Sequence, residues 1–150
     1  MCWPILLQGG LFVYLSLLKK IMTIFSKIIA GEISSYKIAE DEQFIAFLDV
    51  APLVKGHVLV VPKIEVDKLF DLPDDYLAAM LVFAKPIAHA IEKTMDCNRC
   101  GITVIGLEVP HAHLHLIPIN SADDLNFTRA KMSVTREEME LIMQMIVGAL

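Results

Sequence analysis

The stretch HAHLHLIP at residues 111–118 constrains the fold most, because histidines alternate in it with apolar residues. A repeat of two residues is that of a β-strand, in which alternate side chains lie on one face of the sheet. The pattern therefore predicts a strand that buries its apolar residues in a core and places three imidazoles together on the other face: His111, His113 and His115. Imidazoles in a row gain nothing from packing, so we interpret them as a chemical site.

The other periodicities indicate an α+β fold. Strands are predicted at residues 36–40, 43–48, 57–62, 101–105 and 111–119. Residues 74–95 carry apolar side chains at helical spacing and predict a long helix, in which Pro86 removes one backbone hydrogen bond and should cause a kink. A short helix ends at Gly31, and a capping box of Thr135 and Glu138 begins a C-terminal helix. We expect a five-stranded, mainly antiparallel sheet with one long helix on a face and short terminal helices.

Length and charge limit the classes of function. A chain of 150 residues forms one domain that can bury its own core. The net charge is -5 and no lysine or arginine cluster occurs, so a nucleic acid polymer is not expected as a partner, whereas a small anion still is. Cys2, Cys97 and Cys100 are too few for a disulfide framework and indicate a cytoplasmic protein.

An apolar segment precedes this pattern. Residues 1–18 contain Pro4, lack basic residues ahead of the apolar run and are followed by Lys19 and Lys20. These features argue against a secretory signal and fit a membrane anchor with its lysines on the cytoplasmic side. We favour a start at Met22, with residues 1–21 as a mis-called extension. Residues 22–150 are then the domain, and a membrane is a partner only if residues 1–18 are a real anchor.

Two kinds of chemistry explain the histidine row. Histidines at every second position of a strand can chelate zinc, with His57 of the third strand as a further ligand. Alternatively, a neutral imidazole can attack phosphorus while its neighbours bind the phosphate oxygens and protonate the leaving group. An unperturbed histidine pKa of about 6.5 allows a neutral nucleophile beside a charged donor at cellular pH.

Three blocks, TIFSKIIAGEI, KGHVLVVPK and HAHLHLIP, stand in an order that is typical of one family. On these blocks the chain resembles the histidine-triad (HIT) nucleotide-binding family, on the side of the Hint-like nucleoside phosphoramidases, over about residues 22–147. The resemblance implies a HIT-like fold, a purine nucleotide as substrate and a homodimer. It implies no cofactor and no metal for the chemistry.

The resemblance also implies roles for four histidines. His113 matches the nucleophile, and His115 matches the histidine that contacts the phosphate and the leaving group. His111 matches the first triad histidine, which holds the nucleophile in place, and His57 matches the histidine that supports the triad from the neighbouring strand.

A nucleotide pocket follows from the same resemblance. Asp49 matches the acid that binds the ribose hydroxyls, and a carboxylate accepts two hydroxyl donors well. The residues that match the purine pocket are Phe25, Ile28, Phe47 and Val50. From the sequence alone these four residues are equally consistent with an ordinary core.

The chain departs from the family in two places. The loop before the triad is short, and Leu107 and Glu108 stand where glutamine and serine are common, so the phosphate loses donors there. Some relatives carry a structural zinc at positions that are occupied in this chain by Thr23, Ser26, Glu65 and His111. Only the histidine remains of that ligand set, and Cys97 and Cys100 have no second pair nearby, so no metal is expected.

The function that the resemblance implies is hydrolysis at the α-phosphorus of a nucleoside monophosphate derivative, such as an adenosine phosphoramidate, through a nucleotidyl-histidine intermediate. Two alternatives stay open. One is a dinucleoside polyphosphate hydrolase, and the other is a nucleotide-binding regulatory module with little turnover.

Overall fold

Five antiparallel strands form one sheet in the order β1-β2-β3-β5-β4. The computed structural model describes residues 22–150, so the predicted extension over residues 1–21 lies outside the described residues. The strands are β1 (Lys37–Glu40), β2 (Phe44–Leu48), β3 (Val58–Pro62), β4 (Arg99–Thr103) and β5 (Leu114–Ile119), and the helices are α1 (Ile24–Ile29), α2 (Asp74–Thr94) and α3 (Arg136–Val147). Short 3-10 turns stand at Leu69–Asp71 and Ala122–Leu125. The predicted α+β architecture is confirmed.

The two faces of the sheet are covered by different helices. On one face, Val58, Val60, Leu114 and Leu116 join a large core with α2 and α3. On the other face, a smaller cluster forms under α1 from Phe25, Ile45, Phe47, Leu59 and Val61. Every residue of β2 and β3 is therefore buried, and the second face is the one on which the histidines lie.

The local signals at the helix ends are confirmed. The Thr23 side chain accepts a hydrogen bond from the Ser26 amide at the start of α1, and Gly31 after its end has φ 77°. Thr135 and Glu138 form the predicted capping box of α3. Pro86 lies inside α2, which runs through it without ending.

The predicted strand over residues 111–119 begins later than expected, at Leu114. Pairing of β5 with β3 stops at Val60 and Leu114. Beyond that pair, the Ala112 amide donates instead to the carbonyl of Val66, at 2.7 Å. Pro62 has no N–H for a ladder, and its carbonyl accepts from the His111 ring at 2.8 Å. His111 and His113 consequently lie in an extended segment just ahead of the strand. The strand predicted over residues 101–105 is shifted in the opposite direction, to Arg99–Thr103.

Within residues 22–150, no helix has both the length and the apolar character that a membrane span requires.

Gly56, beside His57, provides a test of this packing. A Cβ atom there would lie 2.7 Å from Met95 Sδ and 3.2 Å from Pro118 Cγ, at a φ of +86°. Gly31 has a φ of +77° and open space around it, so it is the matched control. Gly31→Ala should cost about 1–2 kcal/mol through the backbone alone, and Gly56→Ala about 1–3 kcal/mol more through the clash. Urea unfolding measures both losses, and equal losses would show that Met95 yields freely.

Candidate active site

His113 is held with one defined ring nitrogen available for chemistry. Its Nδ1 lies 2.6 Å from the carbonyl oxygen of His111, which can only accept, so Nδ1 carries the proton. Nε2 is then the nitrogen with a lone pair. The ring packs edge-on against Phe25, with centroids 5.1 Å apart, and against His115, at 4.7 Å. The side chain is 6% exposed. These contacts fix both the tautomer and the orientation that attack on an electrophile requires.

His57 and His115 form a second imidazole pair across β3 and β5. His57 Nδ1 accepts from the Leu53 amide at 3.3 Å, so its proton is on Nε2, which donates to His115 Nδ1 at 2.9 Å. His115 therefore carries its proton on Nε2. This buried nitrogen has no hydrogen-bond partner among the described residues. It can donate a hydrogen bond to a ligand in the pocket.

Burial favours the neutral form of three imidazoles of the site, those of His57, His113 and His115. Burial lowers the pKa of His57 to about 3, and burial, reinforced by His113 and His57, lowers the pKa of His115 to about 3. Burial also lowers the pKa of His113. In the free protein, desolvation disfavours the charged form of these three rings, including the charged donor that the unperturbed pKa would allow.

His111 is anchored through both ring nitrogens. Its Nε2 donates to the Pro62 carbonyl, and its Nδ1 lies 2.9 Å from Thr23 Oγ1. The Thr23 amide donates to Glu65 Oε2 at 3.3 Å, and the Ser26 hydroxyl donates to the same oxygen. Thr23, Ser26, Glu65 and His111 thus meet as a hydrogen-bonded cluster. This cluster ties α1 to the segment that carries the triad.

A pocket of about 270 Å³ opens at His113 and His115, and Asp49 lines it as well. Asp49 follows β2, and its Oδ1 accepts from the Ala51 amide at 2.9 Å. Its Oδ2 lies 3.5 Å from His57 Nδ1, which is longer than a hydrogen bond between these atoms. A carboxylate lone pair remains for a ligand. The structure brings Asp49 and the two histidines to one pocket, and the ribose-binding role of Asp49 stays a prediction.

The four residues that match a purine pocket have different surroundings. Phe25 and Phe47 are core residues with exposures of 6% and 3%, and their rings contact each other at 5.7 Å. Ile28 packs against the same cluster. Val50 is 74% exposed and lines a separate groove beside Tyr36. Phe25 contacts the His113 ring, but Val50 is not brought to the histidine pocket. The roles of these residues in base binding stay predictions.

Sequence reasoning missed one wall of the pocket. Phe127, Thr128 and Lys131, from the segment between β5 and α3, line it together with His113 and His115. The only signal in the sequence was an aromatic residue within the polar run NFTRAK. Leu107 and Glu108 line the pocket from the opposite loop, and both are exposed.

Comparison with known proteins identifies the family. The profile described as "HIT domain" matches residues 30–122, which is more than half of the chain. The chain belongs to the HIT family. Among its relatives in that family is an uncharacterized HIT-like protein of Borreliella burgdorferi, 37% identical over 130 residues, which cover 81% of this chain and 94% of that protein.

A HIT relative with a named activity is adenosine 5'-monophosphoramidase HNT1 of Saccharomyces cerevisiae, 41% identical over 96 residues, or 63% of this chain and 61% of that protein. Of the solved structures, a HIT-like protein of Bartonella henselae superposes with a TM-score of 0.73 at 28% identity, over 85% of this chain and 96% of that one. A zinc-bound histidine triad family protein of Mycobacterium smegmatis gives a TM-score of 0.72 at 29% identity, over 84% of this chain and 91% of that one.

The donor set of this HIT domain does not fit a structural zinc. The cluster at His111 offers two hydroxyls and a carboxylate, whereas structural zinc sites use thiolates and imidazoles. Asp49, His57 and His115 have possible ligand atoms within 4.8 Å of one another, but the two histidines already share a hydrogen bond. Burial raises the pKa of Cys100 to about 12, which disfavours the thiolate that a metal needs.

The buried imidazoles predict how stability depends on pH. The folded pKa of His57 and of His115, about 3, lies below the unfolded value of about 6.5, so the unfolded chain binds more protons as the pH falls below 6.5. Between pH 7 and pH 5 the free energy of unfolding should fall by about 2 kcal/mol for each of these two rings. Urea unfolding at pH 7, 6 and 5 measures the slope, which His57→Gln should reduce. A constant free energy over this range would contradict the assignment of buried neutral rings.

Proposed function

We propose that this HIT domain hydrolyses nucleoside monophosphate derivatives at the α-phosphorus, with an adenosine phosphoramidate as the simplest substrate. The observation that carries the proposal is the tautomer of His113, whose Nδ1 is occupied by the His111 carbonyl and whose Nε2 is left as a nucleophile. The relative named adenosine 5'-monophosphoramidase, which shares 41% identity, supports the same substrate class.

The first chemical step forms a nucleotidyl-histidine. His113 Nε2 bonds to phosphorus while the phosphorus–nitrogen bond of the substrate breaks, and the departing nitrogen takes the Nε2 proton of His115. His115 gives this proton from its imidazolium form, which the anionic phosphate of the bound substrate favours, and its ring is left neutral. The His57 ring, whose Nε2 lies 2.9 Å from His115 Nδ1, holds His115 in place. The resulting His113 adduct is an imidazolium.

Water completes the reaction. It attacks phosphorus from the side opposite His113, the bond between phosphorus and His113 Nε2 breaks, and the proton of the water restores His115. The products are a nucleoside monophosphate and an amine. A neutral His113 ring suits this sequence, because a protonated His113 would have no lone pair for attack.

A nucleotide-binding module with little turnover is a second candidate. It is favoured by the loop at Leu107, which is 88% exposed and provides no side-chain donor to a phosphate. Steady-state turnover of a fluorogenic adenosine phosphoramidate distinguishes the two candidates, because the module would bind AMP without turnover. A dinucleoside polyphosphate hydrolase would instead prefer a diadenosine substrate in the same assay.

A second copy of the chain is the protein partner that we propose. β4 lies at one edge of the sheet with Ile102 47% exposed, and α2 packs next to it with Leu81 58% and Val82 71% exposed. An edge strand beside exposed apolar residues is a surface that a second copy can cover. Sedimentation equilibrium should give twice the monomer mass, and Ile102→Lys should shift it towards the monomer.

The covalent intermediate gives the main prediction of this proposal. Rapid quench with radiolabelled adenosine phosphoramidate should trap adenylate on the peptide that holds His113, in a bond that is labile in acid and survives base. His113→Ala should abolish both labelling and turnover. His115→Ala should slow turnover most for poor leaving groups, because these need the proton most. Near wild-type turnover in His113→Ala, or label on Cys97 or Cys100, would show that the nucleophile is assigned wrongly.

Asp49 gives a separate prediction for binding. If its carboxylate accepts from the ribose hydroxyls, Asp49→Ala should weaken AMP binding by about ten- to a hundredfold, as expected for a charged hydrogen bond. The preference for AMP over 2′-deoxy-AMP should narrow in the same variant. Titration calorimetry with both ligands measures this, and an unchanged preference would remove Asp49 from the ribose site.

A further inference from the structure

The segment from Phe127 to Lys131, hereafter the strap, forms one side of the histidine pocket. The Phe127 ring lies edge-on to His115, with centroids 4.8 Å apart, and 6.3 Å from the His57 ring. Lys131 Nζ stands 4.6 Å from the centroid of Phe127. Thr128 and Lys131 line the pocket together with His113. The strap therefore places the Lys131 ammonium group at the pocket that His113 and His115 line.

Hydrogen bonds hold the strap at both ends. Asn126 Oδ1 accepts from the Thr128 amide at 3.0 Å, and the Arg129 guanidinium lies 3.2 Å from Asp123 Oδ2. At the other end, the Met132 amide donates to the carbonyl of Pro52, at 2.8 Å. The position of Lys131 is thus set by the fold on either side of it.

The charges of the pocket are unfavourable for a nucleotide without this lysine. Asp49 and Glu108 contribute two carboxylates to the lining, and the two imidazoles are neutral. Lys131 is the one ammonium group among the residues that line the pocket. Its charge also contributes to the lowered pKa of His57 and of His115. An anionic phosphate needs a positive group here, since like charges repel it.

Lys131 has no anionic partner, unlike two other lysines of the domain. The Lys63 ammonium lies 2.9 Å from Glu40, and Lys55 lies 2.7 Å from Glu138. Within residues 22–150, no carboxylate lies within 4.0 Å of the Lys131 ammonium group, which stands over the face of Phe127. A contact of this type holds an ammonium group weakly enough for a phosphate to attract it.

We propose that Lys131 binds the phosphate of the nucleotide and replaces the side-chain donors that the short loop at Leu107 and Glu108 lacks. This rests on the proposed function, in which the histidine pocket holds a nucleoside phosphate. The ammonium contacts the non-bridging oxygens, and Phe127 orients it before the nucleotide binds. Charge added at these oxygens in the transition state makes the contact stronger there than with the bound substrate.

A pair of ligands that differ only in the phosphate tests this assignment. Lys131→Met keeps the length of the side chain and its packing on Phe127 but removes the charge. Calorimetric binding of AMP should weaken by about ten- to a hundredfold, and binding of adenosine should not change. Lys131→Arg should keep most of the affinity for AMP. Lys68→Met, at an exposed position on another loop, is the matched control and should bind both ligands like the wild type.

Each other outcome overturns the assignment. Unchanged AMP binding in Lys131→Met would show that the ammonium does not touch the phosphate. Equal weakening for AMP and adenosine would show a structural role for the strap. Turnover of a phosphoramidate by the wild type separates this failure from failure of the proposed function. If the wild type neither turns over the phosphoramidate nor binds AMP, the proposed function fails and the Lys131 assignment fails with it.

Discussion

The hydrogen bond from His113 Nδ1 to the carbonyl oxygen of His111 decides which nitrogen of the triad can act as a nucleophile. At 2.6 Å it fixes one tautomer of His113 and leaves Nε2 unprotonated. The His111 ring is itself held by the Pro62 carbonyl and the Thr23 hydroxyl. Residues 111–113 lie outside the hydrogen-bond ladder of the sheet, since that ladder ends at Leu114. The late start of β5, at Leu114, therefore helps to form the site.

The cluster of Thr23, Ser26 and Glu65 around His111 shows how one structural task can be met by different chemistry. Hydroxyls and a carboxylate connect α1 to the triad segment through hydrogen bonds, and these donors suit a proton network better than a zinc ion. The Phe25 ring packs against His111 and His113 from the same helix. α1 is short, but it positions the rings of two triad residues.

The fold was predictable because its signals are local. The alternation in HAHLHLIP, the capping box at Thr135 and Glu138 and the periodicity of α2 each depend on residues close in sequence. The start of β5 was not predictable, because the Ala112 amide bonds to the distant Val66. The low pKa of His115 was not predictable for a similar reason, since burial by residues distant in sequence determines it. Lys131 reaches the pocket through a loop that carries no periodic signal.

The account depends most directly on the protonation of the triad at neutral pH. ¹⁵N NMR of the histidine ring nitrogens at pH 7, with His113 assigned by comparison with His113→Asn, measures it for the free protein. The account predicts a neutral His113 ring with the proton on Nδ1 and a neutral His115 ring with the proton on Nε2. A His113 ring that is charged, or that carries its proton on Nε2, would contradict it.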